Sequence, residues 1–337
     1  MILTLKDTKA SASIDSLGAQ LISYRDSAGQ EYIWQRDPSY WANCSPILFP
    51  IVGGLKEDHV RIGETFYTMP KHGFVKSSEL EARQEEPNRA VFTLKDSEET
   101  RSMYPFPFLL TVTYTLKDGA LTMICRVENT GSSPLPYFIG THPGFVCPLL
   151  PGESFSDYVL EFDEDETEGY RAFDPERQQF DMSRRLPFPG DGRRIALNYE
   201  LFLSDAIWFD NPRSRKVRLL QPATGRGVEV GFADYSTVAF WTAAEKQAPF
   251  LCIEPWNGSG PCSDEGTEFL GKNHLQTLQP GESREYAISI RYLQVKQSSQ
   301  IYAAAGNPCG CSHLLPERMR AAAISCIRGR AAPKNRL

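Results

Sequence analysis

Short runs of alternating hydrophobic and polar residues, separated by turn-forming residues, cover most of the chain. The clearest pair is residues 108–116 and 120–127, which both alternate and flank Asp118-Gly119. An Asp-Gly dipeptide between two such runs is typical of a β-hairpin with a two-residue turn. Up to residue 295, no long segment has the 3.6-residue periodicity of an amphipathic helix. The pattern therefore predicts an all-β protein, a large sandwich or barrel of about 15 to 20 short strands.

Other segments of the same kind predict the remaining strands. Predicted strands or hairpins occupy residues 12–16, 20–24, 31–34, 62–69, 90–94, 206–209, 216–220, 227–231, 237–241, 250–253 and 286–290. Two stretches break the pattern. Residues 38–50 are apolar but contain too much proline for a central strand, which predicts a packed loop. Residues 150–200 are polar and irregular, and the predicted strands resume only after them.

The C-terminal segment, residues 296–337, differs in composition from the rest of the chain. It is rich in alanine and contains Cys309-Gly-Cys311, and its single acidic residue, Glu317, is outnumbered by five arginines and two lysines, Lys296 and Lys334. Such a segment lacks the apolar pattern of a packed core. We therefore predict a β-sandwich domain at residues 1–295 and a basic, largely disordered tail at residues 296–337.

The composition excludes several classes of function. The chain has 337 residues and a net charge of −6, whereas nucleic acids and anionic membranes attract basic surfaces. No apolar run approaches the roughly 18 residues of a membrane span, and the N-terminus lacks the pattern of a secretory signal. The eight cysteines are scattered rather than arranged as a disulfide framework. We expect a cytoplasmic protein, a monomer or weak homodimer, without a nucleic-acid or membrane partner.

No metal site is predicted. The acidic run Asp163-Glu-Asp-Glu166 lacks the glycine and the spaced ligands of an EF-hand loop, so a solvated face is expected there. Cys309-Gly-Cys311 has no second cysteine pair to complete a zinc site. No His-x-His motif or clustered His/Glu set is present either.

Two corners at the ends of apolar strands carry the candidate chemistry. His142 follows an apolar run that ends in Gly140 and precedes Pro143-Gly144, so its imidazole is expected on a rigid turn. Glu254 ends a second apolar run directly before Pro255. Apolar neighbours disfavour the charged carboxylate and raise its pKa, which makes it a better general base. The pair predicts acid–base chemistry between the two corners.

A third corner contains another histidine in a related context. His72 and His142 are each followed by Gly-Phe, with a proline inserted after His142 only. Each candidate has a structural alternative. A loop histidine often only supports its loop, and Glu254 is also placed to cap a strand by accepting hydrogen bonds from nearby amides. The matching contexts of the two histidines favour the functional interpretation.

The sequence resembles the aldose 1-epimerase (galactose mutarotase-like) family, and most closely its shorter bacterial branch. Six motifs occur in the order found in the family and span residues 1 to about 293. The motifs are residues 45–53 (SPILFPIVG), 71–74 (KHGF), 139–145 (IGTHPGF), 201–205 (LFLSD), 240–241 (FW) and 252–258 (CIEPWNG).

The resemblance implies a large β-sandwich with a concave sugar-binding face, and a site without metal, nucleotide or other cofactor. It implies that Glu254 removes the proton of the C1 hydroxyl of an aldohexose while His142 protonates the ring oxygen O5. It also implies that His72 is a second donor near O5 and that Asp205 anchors a hydroxyl group. Asp210 is close enough in sequence to compete for the role of Asp205.

The remaining candidates concern substrate preference. Trp241 and Trp208 are candidates for an apolar surface under the sugar, or for the core. The short branch of the family often has arginine where this chain has Gly54, and often has arginine where this chain has Lys76. A sugar phosphate favours several guanidinium groups, so these departures disfavour a hexose-6-phosphate substrate.

The predicted function is the cofactor-free interconversion of the α and β anomers of a free aldohexose. The alternatives are a non-catalytic carbohydrate-binding β-sandwich and a hexose-6-phosphate mutarotase.

Overall fold

Strands account for most of the regular structure in the part of the chain that the structure describes. The structure, a computed structural model, describes residues 1–294. The first twelve strands of this range are β1 (Ile2–Lys6), β2 (Ala10–Asp15), β3 (Gln20–Asp26), β4 (Ile47–Leu48), β5 (Val60–Ile62), β6 (Thr65–Tyr67), β7 (Glu81–Glu86), β8 (Arg89–Lys95), β9 (Phe108–Lys117), β10 (Ala120–Asn129), β11 (Leu135–Tyr137) and β12 (Ile139–Thr141). The next twelve are β13 (Gly144–Val146), β14 (Val159–Phe162), β15 (Tyr170–Asp174), β16 (Gln179–Leu186), β17 (Arg194–Ala196), β18 (Ile207–Phe209), β19 (Lys216–Gln221), β20 (Arg226–Gly231), β21 (Thr237–Trp241), β22 (Phe250–Asn257), β23 (Gln276–Leu278) and β24 (Ser283–Leu293).

Helical structure in the described residues is limited to short segments. The α-helix α1 (Glu98–Met103) lies between β8 and β9, and Ser97 caps it by accepting a hydrogen bond from the Thr100 N–H. The 3₁₀ segments are Lys56–Asp58, Val75–Ser77, Phe155–Asp157, Tyr199–Phe202, Ala244–Lys246 and Phe269–Gly271. None of the described helices is long and apolar enough to cross a membrane.

Two large antiparallel sheets pack face to face as a sandwich. The first has nine strands in the order β17-β14-β19-β20-β24-β10-β9-β8-β7. The second has eight strands, in the order β16-β15-β18-β21-β22-β12-β4 with β13 also paired to β22. Aromatic contacts join the two sheets, as between Phe162 of β14 and Phe240 of β21, whose ring centres are 5.6 Å apart. The predicted all-β sandwich is confirmed.

Residues 1–294 also form three smaller sheets. They are β1-β2-β3, β11-β23 and the hairpin β5-β6. The predicted hairpin around Asp118-Gly119 is present as β9 and β10, which pair over their whole length. Asp118 and Gly119 both have positive φ, as the two-residue turn of a twisted hairpin requires.

Strand β22 lies in the middle of the eight-stranded sheet and is covered on both faces. All eight of its residues are buried, whereas β9 alternates between buried and partly exposed positions. A strand buried on both faces has packed material above and below it. The loop that contains Trp41 covers one face of β22, where the ring centres of Trp41 and Phe250 are 5.4 Å apart.

The strand predicted at residues 31–34 is wrong. Glu31 and Ile33 make only isolated bridges there. The reason is the carboxylate of Glu31, which accepts hydrogen bonds from the backbone N–H groups of Tyr24, Tyr32 and Ile33. The Tyr24 and Ile33 N–H groups are thereby bonded to a side chain instead of a neighbouring strand, whereas the Tyr32 N–H also donates to the Tyr24 carbonyl at 3.0 Å.

The polar stretch at residues 150–200 contains four strands that the pattern did not indicate, β14 to β17. Two of them, β16 and β17, are the edge strands of the two large sheets, and edge strands carry polar side chains more readily than central ones. The expected solvated face at residues 163–166 is also wrong in part. Glu166 is buried and accepts hydrogen bonds from the backbone N–H groups of Arg213 and Ser214. The predicted tail at residues 296–337 lies outside the described residues.

Candidate active site

The corner between β12 and β13 brings His142 directly opposite Glu254. Both strands pair antiparallel with β22, and the register is the same on either side of the corner. The registered pairs that flank the corner are Gly140 with Trp256 and Gly144 with Cys252. His142 lies midway between Gly140 and Gly144, and Glu254 lies midway between Cys252 and Trp256. The two residues are therefore opposite each other, and their side chains point to the same face of the sheet. His142 Nε2 lies 3.1 Å from Glu254 Oε2.

The loop predicted at residues 38–50 holds this corner from its other side. The His142 N–H donates to the Pro46 carbonyl at 3.1 Å, and the Gly144 N–H donates to the Cys44 carbonyl at 2.7 Å. Gly144 packs tightly here, because a Cβ would lie 3.0 Å from the Trp41 ring and 3.2 Å from the Cys44 carbonyl oxygen. These hydrogen bonds and the close packing hold the corner against the loop.

Burial sets the protonation behaviour of the pair. The side chains of His142 and Glu254 are only 8% and 2% exposed. Burial lowers the pKa of His142 to about 3 and raises the pKa of Glu254 well above its usual range, with the charge of Asp205 adding to the latter effect. A protonated His142 is thus a stronger acid than a free imidazolium, and an ionised Glu254 is a stronger base than a free carboxylate.

His72 lies beside the pair and presents a hydrogen-bond donor. Its ring centre is 5.5 Å from that of His142, and the two rings are nearly perpendicular at 87°. The Gly53 N–H donates to His72 Nδ1 at 3.1 Å, so Nδ1 is unprotonated and the neutral ring carries its proton on Nε2. Burial and the neighbouring His142 hold the pKa of His72 well below its usual range, which keeps the ring neutral.

The backbone of the His72 corner is held in the left-handed region. His72 and Gly73 have φ values of 69° and 72°. A Cβ at Gly73 would lie 2.0 Å from the Phe49 carbonyl oxygen, so only glycine fits. The His72 N–H also donates to the Gly53 carbonyl at 2.7 Å, which closes the corner against the loop after β4.

The structure separates the two aspartates that competed for one role. Asp205 lines the cavity above the pair, with φ of 144° and its Oδ1 accepting a hydrogen bond from the Ala206 N–H. Asp210 is buried away from this cavity in ion pairs with two arginines. Its carboxylate oxygens lie 2.7 Å from Arg171 Nε and 2.7 Å from Arg185 Nη1. Of the two, Asp205 is the one available to a ligand.

The two candidate tryptophans also have different surroundings. Trp241 is partly exposed and lines the cavity, and its ring centre is 5.8 Å from that of His142. Trp208 is fully buried against Phe180, with 4.7 Å between ring centres, and belongs to the core. Trp41, which the sequence pattern placed only in a packed loop, lies 4.9 Å from the His142 ring and lines the same cavity. Its only sequence signal is an aromatic pair in a proline-rich loop.

A cavity of about 790 Å³ opens above the pair. Such a volume is in the range of small-molecule sites and accommodates a monosaccharide. Lys76 and Lys71 line it, and burial together with the charge of Lys71 lowers the pKa of Lys76. Gly54 lines it too, and a Cβ there would meet no atom within 4 Å. Every residue predicted to act or bind therefore lies on this cavity; these are His72, Lys76, His142, Asp205, Trp241 and Glu254.

Two of the residues that line the cavity, His142 and Glu254, lie near a buried thiol, and the three together are potential metal ligands. In residues 1–294, the side chains of His142, Cys252 and Glu254 place one ligand atom each within 4.8 Å of one another. No sequence signal indicated such a set, because His142 is far along the chain from the other two and no metal-binding spacing connects them.

Known proteins resemble this chain over most of its length. The family model for aldose 1-epimerase matches residues 1–291. The chain is 35% identical over 299 residues to the chromosomal protein LacX of Lactococcus lactis subsp. lactis, covering 87% of this chain and 100% of that protein. A galactose mutarotase related enzyme from Lactobacillus acidophilus superposes with a TM-score of 0.83 at 29% identity, covering 88% of this chain and 100% of that one. A galactose mutarotase-like protein from Lactobacillus casei ATCC 334 gives a TM-score of 0.79 at 27% identity, covering 87% and 100%.

Proposed function

We propose a function from one premise: the chain belongs to the aldose 1-epimerase family. The proposed reaction is the cofactor-free interconversion of the α and β anomers of a free aldohexose. The observation that carries the proposal is the pair His142 and Glu254, fixed 3.1 Å apart by the strand register at the floor of a cavity of monosaccharide size. One acid and one base are the groups that opening and closing a pyranose ring requires.

The proton transfers balance within the pair. In the reactive form Glu254 is ionised and His142 is protonated. Glu254 takes the proton of the C1 hydroxyl while His142 gives its proton to O5, the C1–O5 bond breaks and C1 becomes an aldehyde carbon. The pair is left as a neutral acid and a neutral imidazole, which is the state that burial favours. Rotation about C1–C2 and the reverse transfers close the ring as the other anomer.

The surrounding side chains supply orientation in this proposal. His72 donates a hydrogen bond from Nε2 near O5, and Asp205 accepts one from a sugar hydroxyl. Trp241 and Trp41 offer apolar surface to the C–H face of the sugar. Lys76 contacts a further hydroxyl. Holding the sugar within hydrogen-bond distance of both His142 and Glu254 makes each proton transfer effectively intramolecular.

The two alternative functions would require different side chains at this cavity. A carbohydrate-binding protein without turnover has no use for a buried acid facing a buried base. A hexose-6-phosphate mutarotase favours bidentate guanidinium donors, and this chain has Gly54 and Lys76 at the two positions concerned.

Polarimetry tests the proposal directly. Freshly dissolved α-D-glucose and α-D-galactose relax to their anomeric mixtures spontaneously, and the wild-type protein is expected to accelerate both relaxations. Binding is measured in parallel by calorimetry with the same sugars. Binding without acceleration would identify a carbohydrate-binding protein, and acceleration for glucose 6-phosphate alone would identify the phosphate-specific enzyme.

A further inference from the structure

A third reactive side chain lies behind the proposed acid–base pair. Cys252 precedes Glu254 by two residues on β22, so both side chains lie on the same face of the sheet. One ring nitrogen of His142, the Sγ of Cys252 and one carboxylate oxygen of Glu254 lie within 4.8 Å of one another, and all three residues are buried. His142 Nδ1 is buried without a hydrogen-bond partner among residues 1–294. The proposed proton transfers do not use the thiol.

We propose that His142, Cys252 and Glu254 form a binding site for a thiophilic divalent cation, best matched by Zn²⁺. Imidazole, thiolate and carboxylate are the ligand types of zinc sites, and three protein ligands leave a fourth position open towards the cavity. Zinc–ligand distances of about 2.0–2.3 Å place tetrahedral ligand atoms about 3.5 Å apart. Shifts of about 1 Å therefore close the site, and the cavity already gives access to His142 and Glu254.

Cation binding releases protons and excludes the sugar. Zinc binds cysteine as the thiolate and glutamate as the carboxylate, so both ligands are deprotonated in the bound state. On binding, the thiol proton and the proton of the Glu254 carboxyl pass to solvent, and the cation takes the place of the proton that His142 and Glu254 exchange. Because protons are released, cation affinity rises with pH. The resulting inhibition of turnover rests on the proposed function, whereas binding of the cation does not.

Equilibrium dialysis with Zn²⁺ measures binding independently of activity. The full chain is stripped with a chelator and compared with Cys252→Ala and with Cys125→Ala, which removes another fully buried thiol from the opposite sheet. All three carry Cys309→Ala and Cys311→Ala, so that this cysteine pair adds no zinc. Cys252→Ala is expected to lose one bound Zn²⁺ per chain, and Cys125→Ala none. Equal binding by the two variants would overturn the site.

Inhibition provides the second readout. Zn²⁺ is expected to slow mutarotation by the wild type, excess sugar to relieve the inhibition, and Mg²⁺ to have no effect. Cys252→Ala should retain activity and raise the half-inhibitory Zn²⁺ concentration about tenfold or more. If Cys252→Ala fails to fold, Cys252→Ser and displacement of Zn²⁺ from the wild type by sugar decide the question. If the protein is inactive on every sugar, the dialysis experiment still tests the zinc site, because it measures binding and not activity.

Discussion

Glu254 lies directly across the strand ladder from His142, with 3.1 Å between Oε2 of the carboxylate and Nε2 of the imidazole. The backbone fixes this relationship, because β12 and β13 keep one register against β22 on both sides of the His142 corner. Replacing either side chain by an isostere leaves the partner in position. Variants at these two residues therefore test chemistry rather than architecture.

Glu254→Gln and His142→Asn are each expected to lower kcat for mutarotation by about 10²–10⁴-fold, which is the rate factor that a general acid or base typically contributes. KM should change little, since both replacements keep the shape of the cavity. The measurement is polarimetry over a range of sugar concentrations. Glu245→Gln is the control, because Glu245 is a carboxylate at the same cavity with no assigned role. Loss of activity in the control alone would refute the assignment of the base to Glu254.

The pH dependence of stability tests the burial of His142. Burial lowers the pKa of His142 from 6.5 to about 3 in the folded protein. In the unfolded chain the histidine takes up a proton near pH 6.5, so stability is present above that pH and is lost as the pH falls towards 3. The loss is at most about 1.4 kcal/mol per pH unit. His142→Asn lacks this contribution.

Urea unfolding of the wild type and of His142→Asn at several pH values measures this effect. The stability advantage of the wild type over the variant is expected to shrink by about 2 kcal/mol between pH 7 and pH 5. Parallel pH curves for the two proteins would show that His142 titrates normally in the folded state, and the proposed strengthening of the acid would then be wrong.

Asp205 and Asp210 are expected to respond oppositely to the same substitution. Asp205→Asn should raise KM about tenfold with a change in unfolding free energy below about 1 kcal/mol, because the residue lies at the cavity wall. Asp210→Asn should cost about 2–3 kcal/mol of stability, because Arg171 and Arg185 lose a buried partner. Urea unfolding and steady-state kinetics on both variants make the comparison. A raised KM in Asp210→Asn and an unchanged KM in Asp205→Asn would show that Asp210, and not Asp205, contacts the substrate.

The sequence pattern predicted the fold well and the site in part. Alternating runs define strands locally, so the sandwich and its hairpin at Asp118-Gly119 were predictable. The corners of His142 and Glu254 also carried local signals. No local signal predicts the 3.1 Å distance between the two side chains. Their strands are more than a hundred residues apart in sequence, and long-range register sets which strand residues pair. Trp41 was missed for the same reason: a proline-rich loop does not reveal which strand it covers.

Gly73→Ala is expected to destabilise the protein by more than about 3 kcal/mol. The positive φ alone costs about 1 kcal/mol, and the new Cβ would lie 2.0 Å from the Phe49 carbonyl oxygen. Gly29→Ala is the control, because Gly29 also has positive φ but a Cβ there meets no atom within 4 Å. Thermal unfolding compares the two variants. Equal losses would mean that the corner beneath His72 has room to relax.

Gly54→Arg is expected to move substrate preference towards hexose 6-phosphates. Gly54 lines the cavity, its φ is outside the glycine-specific region, and a Cβ there meets no atom within 4 Å, so a guanidinium has space to reach a phosphate. The ratio of kcat/KM for glucose 6-phosphate to that for glucose should rise about tenfold, and further with Lys76→Arg. Gly266→Arg adds the same charge at an equally open position that does not line the cavity. NMR line shapes of the exchanging anomers measure both ratios. A similar rise in Gly266→Arg would attribute the effect to net charge, whereas a rise confined to Gly54→Arg would locate the phosphate near residue 54.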